Sequence, residues 1–131
     1  MRDFGFIKGM PHDGCAEEFE DYKKFKNSIP KKKIIEHMES DKVVRCYGLM
    51  NSHDIFTGQK IECGLIEDGK FMFPMEFLHY YKNYDIGIPY DYEEYLKGII
   101  DYWFYEATAQ YICSDDPSDI SKWVWKIILG G

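Results

Sequence analysis

The chain has 131 residues, of which 45% are hydrophobic and 18% aromatic, and a formal net charge of −7 from 16 basic and 23 acidic side chains. This hydrophobic content is enough for one domain with a buried core, which we expect over residues 1–131, and it excludes a disordered chain. No apolar run reaches the ~18 residues that a membrane-spanning helix needs, and an acidic chain repels nucleic-acid phosphates. We therefore expect a globular protein that neither spans a membrane nor binds nucleic acid directly.

The four cysteines, Cys15, Cys46, Cys63 and Cys113, are scattered without any C-x-x-C pair. The N-terminal segment has neither the apolar stretch nor the small-residue cleavage site of a secretory signal. Cysteines in such a chain are typical of reduced thiols in the cytosol rather than of two disulfides, so we expect a cytoplasmic location.

Two helices are predicted in the first third of the chain. From about residue 16, acidic residues precede lysines in the order that the helix dipole favours, and an aromatic residue recurs every third position from Phe19 to Phe25. A second helix is expected to begin at Pro30, because proline is favoured in the first turn. Its buried face would be Ile34, Ile35 and Met38.

The middle third changes to a strand period. Residues 43–47 form a short segment with adjacent β-branched side chains, and residues 60–65 alternate between apolar and polar side chains. Residues 67–70 contain an Asp-Gly pair, which type I′ turns prefer because both central residues need a positive φ. Residues 70–73 would return from this turn as the second strand of a hairpin. The pattern predicts a small antiparallel sheet of about three strands.

The remainder of the chain is predicted to be mainly helical. Pro74 stands where a helix would start, and a loop over residues 83–89 follows, because a glycine and a proline interrupt regular structure there. Asp91 is a suitable N-cap for a long helix that extends to about residue 112. Residues 120–128 have the i, i+3, i+4, i+7, i+8 apolar pattern of a last helix that stops at Gly130. The complete pattern predicts an α+β fold in which four to five helices pack on the sheet.

Acidic residues and tyrosines are concentrated in the same part of the chain. Residues 54–119 carry 4 basic and 14 acidic side chains, a net charge of −10, whereas residues 1–53 carry a net charge of +1. Tyrosine offers a large contact area, and carboxylates accelerate association with a cationic partner. We therefore predict a protein–protein interface around the loop that separates two helices in this segment. The residues predicted to contact the partner are Tyr84, Asp85, Tyr90, Asp91, Tyr92, Glu93 and Glu94.

This interface makes a small acidic binding protein without catalysis the first functional hypothesis. In its sharper form, the protein is an inhibitor or immunity-type protein that occupies the basic site of a nuclease or of another nucleic-acid-handling protein. A self-associating protein, in which a homodimer buries excess aromatic surface, is an alternative. The competing interpretation of the same pattern is an ordinary solvated acidic surface.

A small-ligand-binding protein or a thiol-dependent enzyme with an aromatic pocket is the second functional hypothesis. Cys15 precedes a predicted helix and lies three residues after His12, an arrangement that suits thiol chemistry. Cys46, His53 or Cys63 could complete a metal site with this pair, but structural zinc sites normally contain two close ligand pairs. We therefore assign no catalytic residue, metal ligand or cofactor from the sequence, and Cys15 and His12 are either reactive or incidental.

Two further features are interpreted as structural. Six lysines between residues 23 and 33 follow a group of acidic residues, and lysines at the C-terminus of a helix compensate the helix dipole. No phosphate or RNA site is predicted there, because no stacking motif accompanies the charge. His37 is expected at the surface of its helix and His79 at the rim of the next one, since isolated histidines have many structural roles.

Overall fold

The structure, a computed structural model, describes residues 1–100 of the chain. Contacts within the chain group residues Met1–Leu96 into one unit. The helix predicted over residues 120–128, the second half of the helix predicted to reach residue 112, and Cys113 all lie outside the described residues. The prediction of one domain over residues 1–131 therefore stays a prediction.

The described residues contain both strands and helices. The strands are β1 (Arg2–Asp3), β2 (Val44–Tyr47), β3 (Ser52–His53), β4 (Lys60–Ile61), β5 (Gly64–Asp68) and β6 (Phe71–Pro74). The helices are a 3₁₀ helix (Phe19–Lys24), α1 (Lys31–Met38), α2 (Met75–Asn83) and α3 (Tyr90–Lys97). Residues 1–100 thus have an α+β architecture.

The main sheet is mixed, with four strands in the order β1-β6-β5-β2. Strands β2, β5 and β6 are antiparallel neighbours, but β1 pairs in parallel with β6 and places Arg2 opposite Phe71. The prediction of a purely antiparallel sheet of about three strands is corrected accordingly. A two-residue strand has no readable alternation, so the sequence pattern could not reveal it. Strands β3 and β4 form a separate antiparallel pair.

The predicted hairpin is formed by β5 and β6. Asp68 lies opposite Phe71, which leaves Gly69 and Lys70 as the two central residues of the turn. Gly69 has φ +62°, and among the described residues only glycines have a positive φ. The turn therefore has the glycine-first pattern of type II′ rather than the predicted type I′. The left-handed region is costly for a residue with a Cβ atom, so Lys70 does not adopt it.

The helices in the first third form at the predicted places. The segment Phe19–Lys24 is a short 3₁₀ helix, and its N-cap residue Glu18 makes no side-chain capping hydrogen bond. Helix α1 follows Pro30 directly and buries Ile34 and Met38 completely.

Helix α3 is shorter than the sequence pattern predicts. It begins at Tyr90, so Asp91 lies in its first turn instead of at the N-cap. It ends at Lys97, and Gly98 follows it. Glycine loses more backbone entropy in a helix than any other residue, which favours termination here rather than at residue 112.

An aromatic core joins the main sheet to helices α2 and α3. Phe4, which follows β1 directly, is at its centre and is fully buried. Its ring centroid lies 5.0–6.4 Å from those of four other rings, Phe71, Phe73, Phe77 and Tyr92. Burial of one such ring stabilises the fold by ~1.5–3 kcal/mol. The parallel pairing of β1 is therefore what brings the N-terminus into the core.

Candidate functional site

Three of the four histidines are hydrogen-bonded to a buried carboxylate. The pairs are His12–Glu76 (2.8 Å), His37–Asp68 (2.8 Å) and His79–Asp54 (2.7 Å), each through Nε2. All three carboxylates are at most 3% exposed, a degree of burial that a carboxylate tolerates only with a partner. The partners are 25–64 positions apart in the chain, so sequence spacing could not reveal the pairs.

Asp68 is the acceptor at the centre of a buried polar cluster. It accepts hydrogen bonds from His37 (2.8 Å), from the Tyr92 hydroxyl (2.6 Å) and from the Tyr95 hydroxyl (3.3 Å). Burial alone would raise the pKa of Asp68, but these hydrogen bonds outweigh burial and lower it. The prediction that His37 lies at the surface is wrong, because α1 turns this side chain inward toward Asp68.

Asp54 organises a second cluster beside α2. Its Oδ2 accepts hydrogen bonds from His79 and from the Tyr84 hydroxyl, both at 2.7 Å, and its Oδ1 accepts from the backbone N–H of Phe56 and Thr57. Burial would raise the pKa of Asp54, yet the four donors together lower it to about 2. The hydrogen bond to Asp54 in turn raises the pKa of Tyr84 to about 12. His79 is partly exposed, which agrees with its predicted position at the rim of this helix.

Glu93 ties α3 to the segment that precedes α1. Its carboxylate accepts hydrogen bonds from the Asn27 side chain (2.9 Å) and from the backbone N–H of Ser28 (2.6 Å) and Ile29 (3.2 Å). Burial would raise the pKa of Glu93, but these donors lower it. The carboxylate is therefore occupied by contacts within the chain and has a structural role.

The seven residues predicted to contact a partner do not share one surface. Tyr92 and Glu93 are buried, which removes them from any contact surface that the described residues offer, and Tyr84 is partly buried against Asp54. The helical period causes this separation, since successive residues of α3 point in different directions. The exposed members are Asp85, Tyr90, Asp91 and Glu94.

The acidic excess of the sequence is largely internal in the described part of the chain. Residues 1–100 contain 18 acidic and 14 basic side chains. Four of the acidic side chains, Asp54, Asp68, Glu76 and Glu93, are buried. The remaining acidic and basic side chains number 14 each, so residues 1–100 present a balanced surface charge.

Cys15 lacks the features of an activated thiol. Burial raises its pKa and outweighs the hydrogen bond from the His12 backbone. The helix predicted to follow Cys15 begins only at Phe19, so its dipole acts on this thiol weakly. The Cys15–His12 arrangement expected from the sequence therefore does not produce a low-pKa nucleophile.

His12, Cys63 and Glu76 bring three possible metal ligands together within residues 1–100. His12 comes from the N-terminal loop, Cys63 from the link between β4 and β5, and Glu76 from the first turn of α2. One ligand atom from each of the three lies within 4.8 Å of the other two. Burial, followed by the Glu76 carboxylate, raises the pKa of the Cys63 thiol. In the sequence, Cys63 is one of three residues that could complete a metal site with His12 and Cys15, but nothing there connects Glu76 to them.

An open groove of about 770 Å³ lies beside β2 and α2. Its lining combines buried Cys63 and Met75 with exposed apolar side chains from β2 and the residues after it. These exposed side chains are Tyr47, Leu49 and Met50. Tyr47 is the only Phe, Tyr or Trp among the described residues that line this groove, so it differs from the predicted aromatic pocket.

Comparison with protein-family models, with curated proteins and with solved structures finds no match for this chain. Within residues 1–100, no helix combines the length and the apolar character needed to cross a membrane.

Proposed function

We propose that this chain is a small binding protein that holds an extended apolar segment of a partner protein along β2 and the adjacent groove. The observation that carries this proposal is the exposure of Leu49, whose side chain has no protection from solvent within the described structure. Tyr47 and Met50, on the same groove, are each more than half exposed. Apolar side chains gathered at a concave surface are typical of interaction sites.

Strand β2 supports an extended conformation of the bound segment. It is the last strand of the main sheet, and within residues 1–100 no strand pairs with its outer edge. An added strand would form backbone hydrogen bonds with this edge, while its alternate side chains entered the groove. The charged residues that line the groove are balanced, with two acidic side chains, Glu39 and Glu62, and two basic ones, Lys60 and Lys82. This balance favours an apolar segment over a strongly charged one.

The inhibitor hypothesis stays a second proposal, in which a basic protein contacts the exposed part of residues 84–94. It is supported by Tyr90, which is half exposed and is followed in α3 by exposed Asp91, whose carboxylate forms an ion pair with Arg2. The preceding loop is held in place by hydrogen bonds from the Gly87 N–H to the Tyr22 carbonyl and from the Ile88 N–H to the Asn27 side chain, both 2.8 Å. A loop that is already ordered loses little entropy on binding. The cytoplasmic location and the absence of catalysis belong to the same set of proposals.

Parallel peptide-display selections on the wild-type chain and on Leu49→Asp test the first proposal. We expect the wild-type chain to enrich apolar peptides, and their affinity to fall by roughly 30-fold in Leu49→Asp, the loss typical of a central contact. Tyr90→Asp is the control, since it places the same charge at a half-exposed aromatic side chain outside the groove, and it should leave the affinity unchanged. Thermal denaturation checks that both variants are folded, as their exposed positions predict.

Two outcomes would overturn this proposal. One is equal enrichment of peptides on the wild-type chain and on Leu49→Asp. The other is a wild-type dimer in sedimentation equilibrium that Leu49→Asp dissociates, because a second copy would then be the natural occupant of the surface. Binding of a basic protein that only Tyr90→Asp abolishes would instead support the second proposal.

A further inference from the structure

Glu76 is a buried carboxylate with an unused oxygen. Its side chain is fully buried, and its Oε1 is hydrogen-bonded to His12 Nε2 at 2.8 Å. Its Oε2 accepts no hydrogen bond of good geometry among the described residues, and the nearby Cys63 thiol is the group placed to interact with the carboxylate. Leaving a buried acceptor without a partner destabilises a fold, and the penalty is larger when the group is charged. Buried carboxylates are therefore normally paired or bound to metal ions.

The groups around Glu76 are themselves metal ligands. His12 offers an imidazole nitrogen and Cys63 a sulfur, and the three ligand atoms lie within 4.8 Å of one another. Ligands around a tetrahedral zinc ion are separated by about 3.4 Å, as its bond lengths near 2.0–2.3 Å require. To enclose such an ion, the longest separation has to shorten by up to about 1.4 Å, and the His12–Glu76 pair, which is 2.8 Å apart, has to open by about 0.6 Å.

The electrostatics of the cluster also favour a cation. Glu76 and Cys63 are both buried, and their carboxylate oxygen and sulfur lie within 4.8 Å of each other. A divalent ion between them would balance the negative charge of the carboxylate and of the thiolate, and its binding would release the thiol proton to solvent. His12 also lines a surface hollow of about 500 Å³ together with Asp13 and Glu17, which gives a cation an acidic entrance.

We propose that His12, Cys63 and Glu76 bind one divalent transition-metal ion, of which zinc best fits the ligand set. A nitrogen, a sulfur and a carboxylate oxygen suit zinc, whereas calcium and magnesium require oxygen ligands alone. Three protein ligands leave a fourth coordination position open, which a water molecule or a substrate atom can occupy. Cys63 also lines the groove of the peptide-binding proposal, whereas His12 and Glu76 do not, and a metal titration without peptide tests this site separately.

Cobalt titration of the reduced, chelator-treated chain tests the site directly. We expect one Co²⁺ per chain, with the visible bands of a tetrahedral ion and a near-ultraviolet thiolate-to-cobalt band, and displacement of Co²⁺ by Zn²⁺. Cys63→Ser should abolish the thiolate band. His12→Ala and the isosteric Glu76→Gln should each weaken Zn²⁺ binding by roughly 100-fold. Removal of a group that only hydrogen-bonds to a metal ligand already costs roughly 10- to 100-fold in affinity, so removal of a ligand itself should cost at least as much.

Cys46→Ser is the matched control, because Cys46 is an exposed cysteine that lies outside the cluster. Its Zn²⁺ affinity and its thiolate band should equal those of the wild-type chain. The proposal is overturned if no stoichiometric binding occurs, if the thiolate band persists in Cys63→Ser, or if Cys46→Ser loses as much affinity as the cluster variants. Circular dichroism of the metal-free proteins verifies folding, and Glu76→Gln keeps the test valid should Cys63→Ser fail to fold.

Discussion

Replacement of Asp68 by asparagine tests how much the buried polar cluster contributes to stability. Asp68 is 2% exposed, and it accepts short hydrogen bonds from His37 and Tyr92 and a longer one from Tyr95. Asparagine preserves the shape of the side chain and one acceptor oxygen, but it removes the negative charge. The variant therefore measures how much the charge of Asp68 contributes to the free energy of unfolding, separately from the packing of the side chain.

The expected loss follows from the two short hydrogen bonds. A hydrogen bond to a charged group contributes ~1.5–3 kcal/mol, and one between neutral groups contributes ~0.5–1.5 kcal/mol. Two bonds that change from the first kind to the second should reduce the free energy of unfolding by about 2–3 kcal/mol. Tyr95→Phe removes only the 3.3 Å bond and should cost about 0.5 kcal/mol, which makes it the control for a general disturbance of the cluster.

Urea denaturation followed by circular dichroism, at about pH 6 and about pH 3, measures both the size and the origin of the effect. The pKa of Asp68 is lowered in the folded chain, so its stabilisation is complete above the unfolded pKa of ~3.9 and is lost as the pH falls through the folded value. The difference between wild type and Asp68→Asn should therefore be smaller at the lower pH. An Asp68→Asn variant as stable as the wild type at pH 6, or a difference that grows in acid, would refute this reasoning.

Three further predictions concern other parts of the described chain. Glu93→Ala leaves the Ser28 and Ile29 N–H groups without their acceptor, so it should lower the free energy of unfolding by about 3 kcal/mol. Urea titration measures this loss, and a value below about 1 kcal/mol would contradict the structural role of Glu93. Gly69→Ala should lower the melting temperature more than Gly58→Ala, since both glycines have a positive φ but only a Cβ atom at residue 69 would collide with the Tyr95 ring. Equal losses would show that backbone strain alone acts. Iodoacetamide followed by peptide mass spectrometry should label exposed Cys46 well before Cys63, whose buried thiol has a raised pKa, and the reverse order would disprove its burial.

Local patterns in the sequence predicted much of the secondary structure. The start of α1 after Pro30, the β5–β6 hairpin and the helix that follows Pro74 all depend on residues that are close together in the chain. The type of the hairpin turn was predicted incorrectly, because the backbone angles of Lys70 depend on its own Cβ atom as well as on the Asp-Gly pair.

The functional residues were harder to predict than the secondary structure. In the sequence, Tyr92 and Glu93 directly follow Asp91, and all three were predicted to contact a partner protein. Asp91 is exposed, whereas α3 places Tyr92 and Glu93 in the interior. The sequence marked His12 and Cys63 as reactive types, yet it could not associate them with Glu76. A carboxylate in an amphipathic segment has the same appearance whether it is solvated or buried.

Composition and local periodicity by themselves determined that this chain forms a core of sheet and helices, since those signals depend on neighbouring side chains. Only the tertiary structure decided which charges are internal and which thiol meets an imidazole and a carboxylate. Those outcomes depend on contacts between residues far apart in the chain, such as the parallel pairing of β1 with β6. The energy of a charged group is set by what surrounds it after folding, and its neighbours in the sequence are only a small part of those surroundings.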